Sequence, residues 1–295
     1  AMRLGAFNFL EKPFEPEELT HLIKLAVHKR SLTMESRELR QELSDGSKII
    51  KKLAGSSKTM LKLKEDILDF SQSDASVFIE GETGSGKTLV AHALHAVSQK
   101  TAKALITVHC SAHNEAILSR RLFGPIEEND NFLPAFEEAK NGTLILEDIE
   151  TLPIRLQGKL LDKLAILEKS LEIRLITISS QASSKLAKKT LRDDLYFRLG
   201  SLKITVPSLR KRGNDILDLF SQYSLSFSEE YGCLPPLLTS EQSSQLLQAP
   251  WQGNVRQLIN IAEQFVIQAR RGELNLSSLL MISEENVDNT ITSDG

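Results

Sequence analysis

The chain has 295 residues, with 36 Lys+Arg against 39 Asp+Glu and a formal net charge of −3. Apolar residues make up 41% and charged residues 25%, ordinary globular usage that excludes a largely disordered, collagenous or low-complexity chain. At roughly 150 residues per domain the length predicts two domains or one large α/β unit with an appendage, and the near-balanced charge excludes the strongly basic surface of a compact nucleic-acid binder. The two cysteines, Cys110 and Cys233, lie far apart and fit neither a disulfide framework nor a zinc spacing. No apolar run approaches the roughly 18 residues of a membrane helix, and no basic-then-apolar leader opens the chain. The expectation is a cytoplasmic chain with no membrane contact.

In chain order, residues 1–15 predict a helix end, a stop at Gly5, a short strand from Phe7 to Leu10 and a turn at Lys12-Pro13. Residues 16–46 predict a linker helix opened by Pro16, with Leu25, Leu32 and Leu39 at seven-residue spacing that permits a short coiled coil. Ser44-Asp45-Gly46-Ser47 ends it.

Strands then alternate with helices. The apolar runs Ala75 to Glu80, Leu105 to His109, Thr143 to Leu146, Ile173 to Ile178 and Leu202 to Val206 predict strands, and Lys87 to Gln99 and Leu156 to Lys169 predict helices. Short continuous apolar strands between helices predict a parallel sheet covered on both faces. Past Pro207 the strands stop. Asp215 to Phe227 and Thr239 to Arg271 predict a small helical subdomain, the second stretch opened by a Thr239/Gln242 capping box and interrupted at Pro250. The expected division is an α/β unit over 47–214, helices over 215–272 and a polar tail over 273–295.

The chemistry begins at Gly81-Glu82-Thr83-Gly84-Ser85-Gly86-Lys87-Thr88, which fits G-x-x-x-x-G-K-[ST] and lies between a predicted strand and a predicted helix. Glycines let backbone N–H groups approach phosphates, the helix N-terminus favours their charge, Lys87 reaches the β and γ oxygens, and the Thr88 hydroxyl binds Mg²⁺. A P-loop enzyme also needs an acid at a neighbouring strand end to hold the waters of that metal. Leu144-Ile145-Leu146 runs into Glu147-Asp148, which supplies it. His109, Cys110 and His113, or His92 and His95, make no complete metal-ligand set.

These motifs, with Leu122-Phe123-Gly124, Phe136 to Ala139, Asn141 to Leu144, Leu191 to Leu199, Pro207 to Arg212 and Trp251 to Leu258, resemble the AAA+ central domain of sigma-54-dependent transcriptional activators, also called bacterial enhancer-binding proteins, over residues 50–272. The first 15 residues are similar to the end of a response-regulator receiver domain, as in two-component activators of the dicarboxylate-transport type. The resemblance implies a ring-forming ATPase, hexameric or heptameric, with ATP and Mg²⁺ between subunits. It implies arginine fingers at Arg192 and Arg198 acting on the neighbouring subunit, and a nucleotide-sensing Arg256 acting within its own. It also implies sigma-54 RNA polymerase as a partner.

The chain departs from that pattern in four places. The family's Asp-Glu pair is inverted to Glu147-Asp148, which predicts slow hydrolysis with Asp148 as the base. His109 stands where the family has an Asn that positions that base, and Ser180 where it has a sensor Asn. The loop that carries GAFTGA in the family, the segment that touches sigma-54, is replaced by Pro125 to Ala135 without that motif. No DNA-binding helix-turn-helix is expected in the chain, so direct DNA contact is not expected. Two readings stay open: a weakened ATP-dependent regulator, and a nucleotide-dependent oligomerising module that has lost remodelling activity.

Overall fold

A computed structural model of the chain describes residues 53–112, 114–124, 133–170, 173–181, 190–273 and 275–281. The expected receiver remnant and linker helix, His113, and most of the loop replacing GAFTGA lie outside the described residues.

Five parallel strands form the sheet: β1 (Val77–Glu80), β2 (Leu105–His109), β3 (Thr143–Glu147), β4 (Arg174–Ser179) and β5 (Leu202–Thr205), in the order β2-β3-β4-β1-β5. Parallel neighbours need crossovers, and helices supply them. Successive side chains of a strand point to opposite faces, so each central strand serves two cores. Val77, Ile79, Ile145, Ile176 and Ile178 face α1 (Lys58–Ser71) and α2 (Lys87–Ala96). Phe78, Leu144, Leu146 and Leu175 face the other side, covered by α3 (Glu115–Phe123), α4 (Ala135–Glu138), α5 (Ile154–Ser170) and α6 (Asp193–Leu199). That two-sided burial explains why the strands read as unbroken apolar runs.

The predicted strands appear with ends shifted by at most two residues. Helix α2 stops at Ala96 rather than Gln99 because Ser98 turns back, its Oγ donating to the His95 carbonyl at 2.7 Å. Four helices on the faces of the sheet, α1, α3, α4 and α6, escaped the sequence reading. In α1, Met60, Leu63 and Ile67 are buried at helical spacing behind an N-cap Ser57 that accepts from the Met60 N–H. In α3, Asn114 caps the Ile117 N–H at 2.9 Å and Leu118 and Leu122 are buried.

At the edge opposite the strand C-termini, Arg174 is fully buried. Its guanidinium donates to the Phe70 carbonyl at 2.7 Å and the Leu94 carbonyl at 3.3 Å. Both carbonyls lie in the last turns of α1 and α2, where unpaired acceptors and the helix dipole favour a cation.

A third core belongs to α7 (Asp215–Glu230), α8 (Ser240–Gln248) and α9 (Asn254–Arg270). The Thr239/Gln242 capping box is present, and the chain leaves the helix between Gln248 and Asn254, around Pro250. Trp251 is buried in this core and its indole donates to the Leu246 carbonyl at 2.8 Å. The core reaches beyond the expected limits of 215 and 272. Leu209 belongs to it, and so do Leu276 and Leu279 in the helical residues 276–281. The tail expected from 273 is therefore corrected for these residues, whose two leucines are too apolar to leave in water when a groove is at hand. No helix among the described residues is long and apolar enough to cross a membrane.

Candidate functional site

The order of the sheet reverses around β1, and ligands of open α/β sheets bind outside the strand C-termini at such a point. β1 runs through Glu80 into the loop 81–86, and α2 begins at Lys87. Gly84 and Gly86 have φ of 74° and 101°, open to glycine and costly to other residues. A side chain at Gly84 would also collide with the Gly253 carbonyl.

The loop is fastened from behind by the helical subdomain. Asn254 Nδ2 donates to the Thr83 carbonyl at 3.0 Å, the Val255 N–H to Gly84 at 3.0 Å, and Arg212 Nη2 to Ser85 at 2.6 Å. Because a trans peptide points C=O and N–H in opposite directions, holding these carbonyls turns the Gly84 and Gly86 N–H groups to the other side. The Glu82 carboxylate joins the same fastening. Arg210 grips it with two guanidinium bonds, Asn254 Nδ2 donates to it at 3.2 Å, and Arg210 above all holds its carboxyl below the usual range.

In front of the loop lies a cleft of about 640 Å³. Thr83, Gly84, Gly86, Lys87 and Thr88 line it, as do Glu147, Asp148 and Arg256. Gly81, Glu82 and Ser85 shape the loop without lining the cleft, and Ser85 borders an adjoining apolar slot with Leu53, Met60, Leu89 and Tyr223. Arg192 and Arg198 do not line this cleft. Arg192 is paired with Asp194 at 2.7 Å on the exposed surface of α6, and Arg198 lies in the last turn of that helix.

Lys87 is buried and donates to the Glu82 carbonyl at 3.0 Å. Burial lowers its pKa, and the carboxylates of Glu150, Asp148 and Glu147 pull the other way. The acids at the end of β3 are each held by a flanking strand end. His109 Nδ1 lies 3.0 Å from Glu147 Oε2, Ser111 Oγ donates to Asp148 Oδ2 at 2.7 Å, and the Ser180 N–H donates to Glu150 Oε1 at 2.9 Å. His109 thus engages the first acid of the pair, and Ser111 the second. Asp148 is left-handed, with φ 54°, a backbone cost of about 1 kcal/mol that its turn imposes.

Glu147 is 8% exposed and its Oε1 has no hydrogen-bond partner. A buried unpartnered carboxylate oxygen and the Thr88 hydroxyl in one cleft are hard-oxygen donors, and they fit Mg²⁺. Sequence reading missed Ser111, Glu150, and the contributions of Ile259 and Asn260 from α9. Only Glu150 had a legible signal, an acid three residues after Glu147 where one 3-10 turn can bring it back.

The family model described as Sigma-54 interaction domain matches residues 53–205, more than half of the chain. The chain belongs to the sigma-54 interaction domain family. The AAA+ ATPase lid domain model matches residues 210–293, and the helical core described above is that lid. The C4-dicarboxylate transport transcriptional regulatory protein DctD of Pseudomonas aeruginosa is 35% identical over 284 residues, covering 90% of this chain and 61% of the relative. The regulatory protein AtoC of Escherichia coli is 34% identical over 284 residues, with 90% and 61% covered. The chain therefore spans about three fifths of the length of these curated relatives. The crystal structure of NtrX from Brucella abortus in complex with ATP superposes with a TM-score of 0.72 at 29% identity, covering 94% of this chain and 66% of that one. Domain III of the Thermotoga maritima replication initiator DnaA shares the fold, with a TM-score of 0.55 at 14% identity.

Proposed function

We propose that this chain is the ATP-binding AAA+ portion of a sigma-54-interacting regulator of two-component type that hydrolyses ATP slowly and forms a ring. The observation that carries the reading is the meeting of Lys87, Thr88 and the unpartnered Glu147 carboxylate in one cleft at the switch point of the sheet. The Gly84 and Gly86 N–H groups and the Lys87 ammonium bind the phosphates, and the apolar slot beside Leu89 takes the base. Thr88 and Glu147 hold Mg²⁺, which when bound offsets phosphate charge. Asp148, fixed by Ser111, accepts the proton of the attacking water. Its carboxylate is one methylene shorter than the family's Glu, which supports slow turnover. Arg256, on the first turn of α9, reads the nucleotide within its own subunit.

Arg192 and Arg198 complete the site of the next subunit. Their place on α6, outside their own cleft and beside Phe197, a large apolar side chain 78% exposed, supports an action across an interface. The sequence from Pro125 to Ala135 lacks GAFTGA, which favours an assembly that binds and turns over ATP without remodelling the polymerase. Titration with a fluorescent ATP analogue tests the core of the reading. Lys87→Ala should weaken binding at least 100-fold, about 2.7 kcal/mol, and unchanged affinity would overturn the phosphate site.

A further inference from the structure

Leu53 and Ala54, just ahead of α1, line the apolar slot together with Leu89 of α2 and Leu219 and Tyr223 of α7. Leu53 is buried in the core beneath α1 and α2, and Ala54 packs against the core of the lid, so this short segment bridges the two. The next three residues carry the bonds that hold it. The Ser56 and Ser57 N–H groups both donate to Asp215 Oδ1, at 2.8 and 2.9 Å, and Lys64 Nζ donates to the Gly55 carbonyl at 2.8 Å. Gly55 has φ 128°, and a Cβ there would lie 2.5 Å from Asp215 Oδ2.

Asp215 is 2% exposed, in the first turn of α7. Burying a carboxylate is costly unless it is bonded and compensated. This one stands at the start of two helices, α7 and α1, whose N-terminal dipoles both favour negative charge. Buried Arg212 is the cation beside it, and Asp215 opposes the lowering of the Arg212 pKa by burial. Helix α1 already has a local cap, Ser57, whose side chain accepts from the Met60 N–H. The bonds to Asp215 therefore fix the residues before the helix, and those form a wall of the slot.

We propose that Asp215 is a positioning residue for the nucleotide base: by holding the Ser56 and Ser57 N–H groups, it keeps Leu53 and Ala54 in place as a wall of the slot. Asp215 lines neither the slot nor the cleft, so it acts through that wall. The proposal rests on the nucleotide reading above and deepens its account of the base.

A fluorescent ATP analogue labelled on its ribose is displaced from the chain by ATP and, separately, by inorganic tripolyphosphate, which has no base. The ratio of the two affinities reads what lies beyond the phosphates. Asp215→Ala removes the acceptor, whereas Gly55→Ala leaves it and pushes the segment away from it. In both variants the ratio should fall about tenfold, because burial of the base needs its wall preorganised. A fall of less than threefold overturns the proposal, even where both affinities drop. A carboxylate that only supports the fold or, through Arg212, the phosphate loop would lower the two alike. Should Asp215→Ala fail to fold by circular dichroism, Gly55→Ala and Lys64→Met, which removes the donor to the Gly55 carbonyl, decide by the same ratio. Absence of analogue binding by the unaltered chain overturns the nucleotide reading and the proposal together. Binding by the unaltered chain, with the ratio unchanged in the variants, overturns the positioning role alone.

Discussion

Burial pushes the His95 imidazole down to about 4, with His92 and Arg174 adding to the shift, and His95 Nδ1 lies 2.8 Å from Thr143 Oγ1. An unfolded histidine titrates near 6.5. Above that pH neither state carries the proton. Between about 6.5 and about 4 the unfolded chain takes it up and the folded chain does not, so stability is lost as the pH falls through this window. The loss is on the order of 3 kcal/mol from this one group. Urea unfolding across that range should show a smaller decline for His95→Gln than for the unaltered chain; parallel declines would mean that His95 is not held neutral. The same residue scale explains the inverted acids. Glu147 and Asp148 are adjacent in sequence, yet the structure gives them different partners, His109 and Ser111, on one neighbouring strand and its exit.

At the scale of elements, the lid is joined to the phosphate loop by its carbonyls rather than by packing alone. Asn254 is the junction: fully buried, left-handed at φ 53°, accepting the Leu209 N–H at 2.8 Å through Oδ1 and donating to Thr83 and Glu82 through Nδ2. Glu82 and Arg210 are both about two-fifths exposed, so their pair adds at most about 1 kcal/mol to global stability. Its effect should fall on the loop. Glu82→Gln should leave the unfolding midpoint nearly unchanged and weaken analogue binding about fivefold, the equivalent of 1 kcal/mol of lost preorganisation. Equal affinity would show that the loop holds its shape without the Glu82–Arg210 pair. Other elements follow from patterns visible in the chain. The buried positions Met60, Leu63 and Ile67 of α1 stand at helical spacing behind a Ser cap, whereas α4 has only four residues, too few for a period to show.

For the whole molecule, Arg192 and Arg198 stand apart from their own cleft, and the proposed function makes hydrolysis depend on assembly. ATP turnover per chain should therefore rise with protein concentration. Arg192→Ala and Arg198→Ala should each lower the plateau by about 10³-fold or more, as loss of an arginine finger does, while analogue affinity stays within about threefold. Turnover independent of concentration, or loss of binding in either variant, would refute action between subunits. The same assembled chain at saturating ATP should not melt a sigma-54 promoter in vitro. Coupling to a partner needs a segment that contacts it differently in the two nucleotide states, and Pro125 to Ala135 offers acids and prolines in place of GAFTGA.

The phosphate loop, the alternation of strands and helices, and the family were legible in the residues alone. Each depends on neighbours in sequence: a loop whose glycines and lysine are consecutive, and strands whose burial on both faces makes them apolar throughout. The partners of the acids were not legible. Ser111 lies 37 residues from Asp148 and Ser180 lies 30 from Glu150, and only the parallel pairing of β2, β3 and β4 brings those strand ends together. The lid's contacts to loop carbonyls span up to 171 residues, and carbonyls are carried by every residue and marked by no sequence pattern. Sequence determined which groups could bind a nucleotide, because that chemistry is local. Tertiary structure decided which oxygens remain free to do it, because hydrogen bonds between distant strand ends and the lid use up the others.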